Sequence, residues 1–113
     1  MRYMLLICWD QSITLDDDQR ADMGRSTEAW INEMDGRGVR LLGNRLRPTD
    51  DATTVRMRGG ETLMADGPFA ETKEQIAGFD VIECADLDEA IEVAAKHPVA
   101  RYGAIEVRPF WEE

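Results

Sequence analysis

The run Tyr3-Met4-Leu5-Leu6-Ile7-Cys8-Trp9 is apolar at every position. A strand with one wet face alternates apolar and polar residues, so a strand without alternation is one buried on both faces. The chain has 113 residues, enough for one domain spanning 1–113 and no second. Such a chain can bury roughly 65% of the surface that its unfolded form exposes, a single modest core. Two helices cover only one face of a sheet. The economical cover for the other face of Tyr3 to Trp9 is a second copy of the chain, and a homodimer is the expectation.

The other elements follow from spacing and punctuation. Asp16-Asp17-Asp18 supplies a cap and negative charge for a helix start. Met23, Thr27, Trp30 and Met34 recur at helical spacing, widened by Ala29 and Ile31, which predicts an amphipathic helix from about Asp17 to Asp35 closed by Gly36 and Gly38. Val39 to Arg47 reads as a strand interrupted at Gly43, the mark of a bulge. Alternation on both sides of Gly59-Gly60 predicts a two-residue hairpin in which Arg58 faces Glu61, Met57 faces Thr62 and Val55 faces Met64. Its one face is then mainly apolar, and Arg56 and Arg58 lie on the other. Ile76 to Cys84 is a strand, and Asp86-Leu87-Asp88-Glu89 opens a second helix as a capping-box variant. Leu87, Ala90, Ile91, Ala94 and Ala95 form its expected buried stripe, and His97-Pro98 stops it. Ala104 to Phe110 is the last strand. The order is β-α-β-β-β-α-β. With the central hairpin as an insertion it reduces to two β-α-β units, the α+β, ferredoxin-like plan with an antiparallel sheet.

Between the hairpin and the strand from Ile76 lies Asp66-Gly67-Pro68-Phe69-Ala70-Glu71-Thr72-Lys73-Glu74. Asp-Gly-Pro is turn chemistry: Gly67 accepts positive φ and Pro68 fixes its own. The aromatic, acidic, hydroxyl and basic side chains that follow exceed what chain reversal requires. This stretch, with Arg2 to Ile7, Gly78-Phe79, Asp86 to Ala90 and Gly103 to Pro109, resembles the DGPF proteins, a branch of the YCII-related family, over nearly the whole chain. The resemblance implies the ferredoxin-like fold and a dimeric α/β barrel in which two subunits pack sheet against sheet. It assigns no reaction, since most DGPF proteins lack an assigned activity.

The net charge of −10 argues against wrapping a nucleic-acid backbone and would repel anionic membranes. Arg37, Arg40, Arg45, Arg47, Arg56 and Arg58 nonetheless fall within a short central stretch, either as a local basic surface or paired with some of the 23 acidic residues. Cys8 and Cys84 are too few and too far apart for a disulfide framework or a zinc site, so reduced thiols are expected. The run Met4 to Trp9 is too short for a signal or spanning segment, which makes the cytoplasm the default location. No phosphate loop, metal cluster or nucleophile elbow is recognisable, and no cofactor is implied.

The candidate chemistry rests on few side chains. His97 is the single histidine, at the end of the second helix, where the dipole would favour its protonated form; it is either a polar helix cap or an acid/base group. Asp66 either caps its own turn or partners His97 as a catalytic pair. Phe69 could wall a pocket or anchor the loop under a partner subunit. Glu71 and Lys73 could pair or contact ligand, and Arg108 could bind a carboxylate or pair with Glu106. Some YCII-type proteins have been proposed to use a histidine on the first helix with an aspartate before the proline after the second. This chain has no histidine on its first helix and has His97 at the second position. Three functions therefore stand side by side. One is a module that binds a small molecule in a sheet-face pocket, with a regulatory role. The second, implied by the resemblance to YCII-type proteins of which one class has dehydrochlorinase activity, is a cofactor-independent lyase or isomerase with such acid/base chemistry at His97 and Asp66. The third is an interaction scaffold whose Asp66 to Glu74 loop stabilises the dimer and binds no ligand.

Overall fold

The computed structural model describes residues 1–112. Its strands are β1 (Arg2–Asp10), β2 (Arg40–Arg45), β3 (Thr53–Arg58), β4 (Glu61–Asp66), β5 (Glu74–Glu83) and β6 (Ala104–Pro109), and its helices are α1 (Asp17–Gly36) and α2 (Leu87–Ala95). Short 3₁₀ turns occupy Thr49–Asp51 and Pro98–Arg101. Four strands make an antiparallel sheet in the order β2-β5-β1-β6, and β3 and β4 make a separate two-stranded ribbon. Both helices cover one face. This is the expected ferredoxin-like α+β fold with a hairpin inserted between β2 and β5.

The helix starts are chemically defined. The Asp16 carboxylate accepts from the Gln19 amide at 2.7 Å while the Gln19 side chain accepts from the Asp16 amide at 3.0 Å, a closed capping box. Asp86 likewise accepts from the Glu89 amide, and Glu89 reaches back to the Ala85 amide, each at 2.9 Å.

Register decides which strand residues meet the helices, because directly opposed residues share a face. Tyr3 stands opposite Ile82 and Pro109, Leu5 opposite Asp80 and Val107, and Ile7 opposite Gly78 and Ile105. Tyr3, Leu5, Ile7 and Ile82 are buried in one cluster with Trp30, Met34, Ala90 and Val93. Met4, Leu6, Phe79 and Leu42 therefore point the other way. Met4, Leu6 and Phe79 are only half-buried, Leu42 is exposed, and Val81 is buried yet lies outside the helix-side cluster. So β1 does alternate within one chain, and among the described residues no helix layer covers its second apolar face.

Three expectations need correction. The β2 bulge falls between Arg40 and Leu42, not at Gly43. Gly43 is required for space: a Cβ there would lie 2.0 Å from Asp80 Oδ1 and 2.7 Å from the Phe79 carbonyl oxygen. The buried stripe of α2 is Ala90, Val93 and Ala94, whereas Leu87 and Ile91 are half exposed and Ala95 is exposed. The helix is rotated so that Val93 meets α1. On α1, Trp30 and Met34 are buried as expected, but Ala29 faces out.

Candidate functional site

The stretch from Asp66 to Glu74 is built on a fixed base. Gly67 takes φ +99°, which few other residues adopt without strain. Its amide donates to the Ala52 carbonyl at 2.8 Å and its carbonyl accepts from Thr54 Oγ1 at 2.8 Å, tying the loop to the start of β3. At the other end the Gln75 side-chain amide donates to the carbonyls of Ala70 at 2.8 Å and Thr72 at 3.2 Å. The Gln11 amide donates to the Lys73 carbonyl at 2.7 Å, joining the loop to the end of β1.

These bonds hold an open cleft of about 370 Å³ beside the loop, lined among others by Gln11, Thr49, Asp50, Asp66, Glu71 and Gln75. Three carboxylates, two amides and hydroxyl groups face it, and no basic side chain does. The site is thus rich in acceptors and suited to a ligand that donates hydrogen bonds or carries positive charge.

Of the residues singled out in the sequence, Asp66 and Glu71 are brought together here. Lys73 turns away to Asp10, with Nζ 3.4 Å from Oδ2. Asp10 also accepts from the Ser12 hydroxyl at 2.6 Å and its amide at 2.9 Å, and these bonds, led by the hydroxyl, hold its carboxyl below the ordinary aspartate range. Phe69 projects into solvent, 77% exposed, and is not among the residues lining this cleft. Arg108 stands opposite Met4 on the uncovered sheet face and is paired with Glu106.

His97 lies elsewhere, on the helix side of the sheet. It is not the C-cap of α2, a place held by Lys96, but the N-cap of the Pro98–Arg101 turn. Its Nδ1 accepts the Val99 amide at 3.1 Å, and its ring meets the edge of Trp30 at a centroid distance of 4.7 Å. It is 5% exposed, and burial pushes its pKa down to about 4, the reverse of the protonation that a helix dipole would favour. The imidazole is neutral at pH 7, its Nδ1 lone pair is occupied, and Nε2 carries the proton. His97 is not among the residues lining the cleft that Asp66 enters.

The YCII-related domain model matches residues 1–113. The chain belongs to the YCII-related family. An uncharacterized protein of Rhizobium meliloti (strain 1021), R00369, is 44% identical to this YCII-related chain over 100 residues, covering 74% of this chain and 81% of that protein. Gln11, Thr49, Asp50 and Gln75 were not singled out in the sequence. Two of them had a signal there: pairing β1 antiparallel to β5 sets Trp9 opposite Gln75 and Asp10 opposite Glu74, which carries Gln11 to the loop. Thr49 and Asp50 arrive through a 3₁₀ turn that no sequence spacing announces.

Among the described residues, no three His, Cys, Asp or Glu side chains are grouped to hold a metal ion, and no helix is long and apolar enough to cross a membrane.

Proposed function

We propose that this YCII-related protein is a cytoplasmic homodimer that binds a small, polar, donor-bearing molecule, an amine or a polyol, in the cleft beside the Asp66–Glu74 loop. The cleft carries the reading. Its volume falls within the range of small-molecule sites, its acceptors converge from the turn after β1, β4, the loop itself, β5 and the Thr49–Asp51 turn, and its loop is tied at both ends before any ligand arrives. Such pre-organisation lowers the ordering cost of binding. The dimer is supported by the apolar sheet face of Met4, Leu6, Leu42, Phe79 and Val81, which two copies packed face to face would cover. Two free cysteines fit a reducing compartment.

Binding with a regulatory outcome accounts for these features better than turnover by His97 and Asp66. For His97 to accept a proton at Nδ1 it must leave the Val99 amide, and its buried imidazolium is disfavoured. The decisive experiment is native mass spectrometry at low and high collision energy, followed by thermal shifts with a panel of amines and polyols. The expected outcome is a ligand that raises Tm in the wild type and does so at least tenfold less tightly in Asp66→Asn and Asp50→Asn, both still dimeric. Equal affinity in both variants overturns the site. Turnover of any panel compound that is lost in His97→Ala would establish the enzyme instead.

A further inference from the structure

The hydrogen bonds around the Gln75 side chain divide its amide between the loop and the cleft. Nε2 donates to the Ala70 carbonyl at 2.8 Å, the Thr72 carbonyl at 3.2 Å and Thr72 Oγ1 at 3.3 Å. The Thr72 hydroxyl gives its own proton to the Glu74 carbonyl at 2.6 Å, so toward Gln75 it is an acceptor. All three partners accept. The opposite orientation of the amide would set Oε1 against two carbonyl oxygens, so the nitrogen faces the loop. Among the described residues nothing donates to Oε1, and Gln75 lines the cleft. The group it has left for a ligand is therefore an acceptor.

The two carbonyls that Gln75 holds lie on either side of Glu71, which also lines the cleft. The other ties of the loop are outside that segment. Gly67 is bonded to Ala52 and Thr54, and Lys73 to the Gln11 amide and the Asp10 carboxylate. Glu71 is exposed and makes no ion pair or hydrogen bond of its own among the described residues. Its place beside Asp50 and Asp66 thus depends on backbone that one side chain fixes. We infer that Gln75 is the positioning and specificity-determining residue of the cleft, a reading that rests on the binding site proposed above. Its nitrogen sets Glu71 in place and its oxygen meets the ligand. Asp50, Asp66, Glu71 and Gln75 then all present acceptors. An ammonium group donates three hydrogen bonds and accepts none, whereas a hydroxyl donates one and turns lone pairs toward the same oxygens. The ligand class narrows from an amine or a polyol to an amine.

Gln75→Glu separates positioning from plain charge. It keeps the size of the side chain and an acceptor, and adds a fourth carboxylate to the cleft. If charge alone governed, it would bind a cation more tightly. It cannot donate to the Ala70 and Thr72 carbonyls, so calorimetry on the full-length protein should show putrescine bound about tenfold more weakly. In a Glu71→Gln background, where the positioned carboxylate is already gone, the same change should be neutral or favourable. A readout without ligand accompanies this. Trypsin should cleave after Lys73 about tenfold faster in Gln75→Glu and in Gln75→Met, while cleavage after Arg58 in the hairpin stays unchanged. Putrescine bound by Gln75→Glu as tightly as by the wild type, or losses that simply add in the double variant, would overturn the positioning role. Glycerol bound by the wild type as tightly as putrescine would overturn the amine specificity. A wild type that binds no amine or polyol removes the cleft reading and the specificity with it. Faster cleavage after Lys73 would then still establish the Gln75 tie, and unchanged cleavage would overturn that as well.

Discussion

At the scale of single residues, burial decides chemistry more than residue type does. His97 is an ionisable group whose ring is used as a spacer against Trp30 and whose nitrogen caps a turn. Its titration should therefore be visible in stability. The folded state holds it neutral down to about pH 4, whereas the unfolded chain protonates it from about 6.5 downward. Between those values the unfolded state binds more protons, so stability is full above pH 6.5 and falls as the pH is lowered. The loss should reach about 2 kcal/mol at pH 5 and level off near 3 kcal/mol below pH 4. Urea titrations at pH 7.5 and 5 check this against His97→Gln, whose loss over the same interval should be smaller by about 2 kcal/mol; parallel losses in the two proteins would refute it. Asp80 is shifted up by its burial, against the opposing pull of Arg40, whose Nε lies 2.8 Å from Oδ1; because both proteins share it, it cancels from the comparison. The same Asp80 fixes Gly43. Adding one methyl group there drives Cβ into a carboxylate that Arg40 holds and into the Phe79 carbonyl. Gly43→Ala should destabilise the protein by about 2–3 kcal/mol in the same urea assay, whereas Gly24→Ala, with nothing near its Cβ on α1, should be neutral or mildly stabilising.

At the scale of elements, the legible parts were those set by local chemistry. The Asp16 and Asp86 caps, the Gly59-Gly60 hairpin with its register, and the order of strands and helices all follow from spacing and turn residues. What failed depended on a partner distant in sequence. The face of α2 could not be read from Leu87 and Ile91, because Val93 is chosen by α1. Trp30 Nε1 donates to the Val93 carbonyl at 2.9 Å, a buried bond across 63 residues. That carbonyl is one of the last in α2 and has no partner within the helix. Trp30 thus caps the C-terminal end of α2 from α1. Trp30→Phe, which keeps most of the packing and removes the donor, should cost about 1–3 kcal/mol, read as a lower urea midpoint with an unchanged slope. The cleft was half legible for a similar reason. Asp66 and Glu71 belong to one continuous stretch, but Asp50 reaches it through a turn, and His97 was drawn toward Asp66 only because both looked chemically active in one dimension.

At the scale of the whole molecule, the first strand raised the question that the fold leaves open. Continuous apolarity from Tyr3 to Trp9 asked for cover on both faces, and the single chain covers one. An uncovered stripe of Met4, Leu6, Leu42 and Phe79 is more than the scattered apolar residues of an ordinary monomer surface. If two copies supply the missing layer, folding and association are one equilibrium, and stability must depend on protein concentration. A tenfold increase in concentration adds about 1.4 kcal/mol per dimer, which for a unit of this size should raise Tm by roughly 2–4 °C. Leu6→Glu places a carboxylate at the centre of that face without touching the Tyr3, Leu5 and Ile7 side. Its Tm should be lower and indifferent to concentration. Scanning both proteins over three decades of concentration separates the cases. A wild-type Tm that stays flat would mean that the chain tolerates its own exposed sheet, and the apolar second face of β1 would then need a covering molecule other than itself.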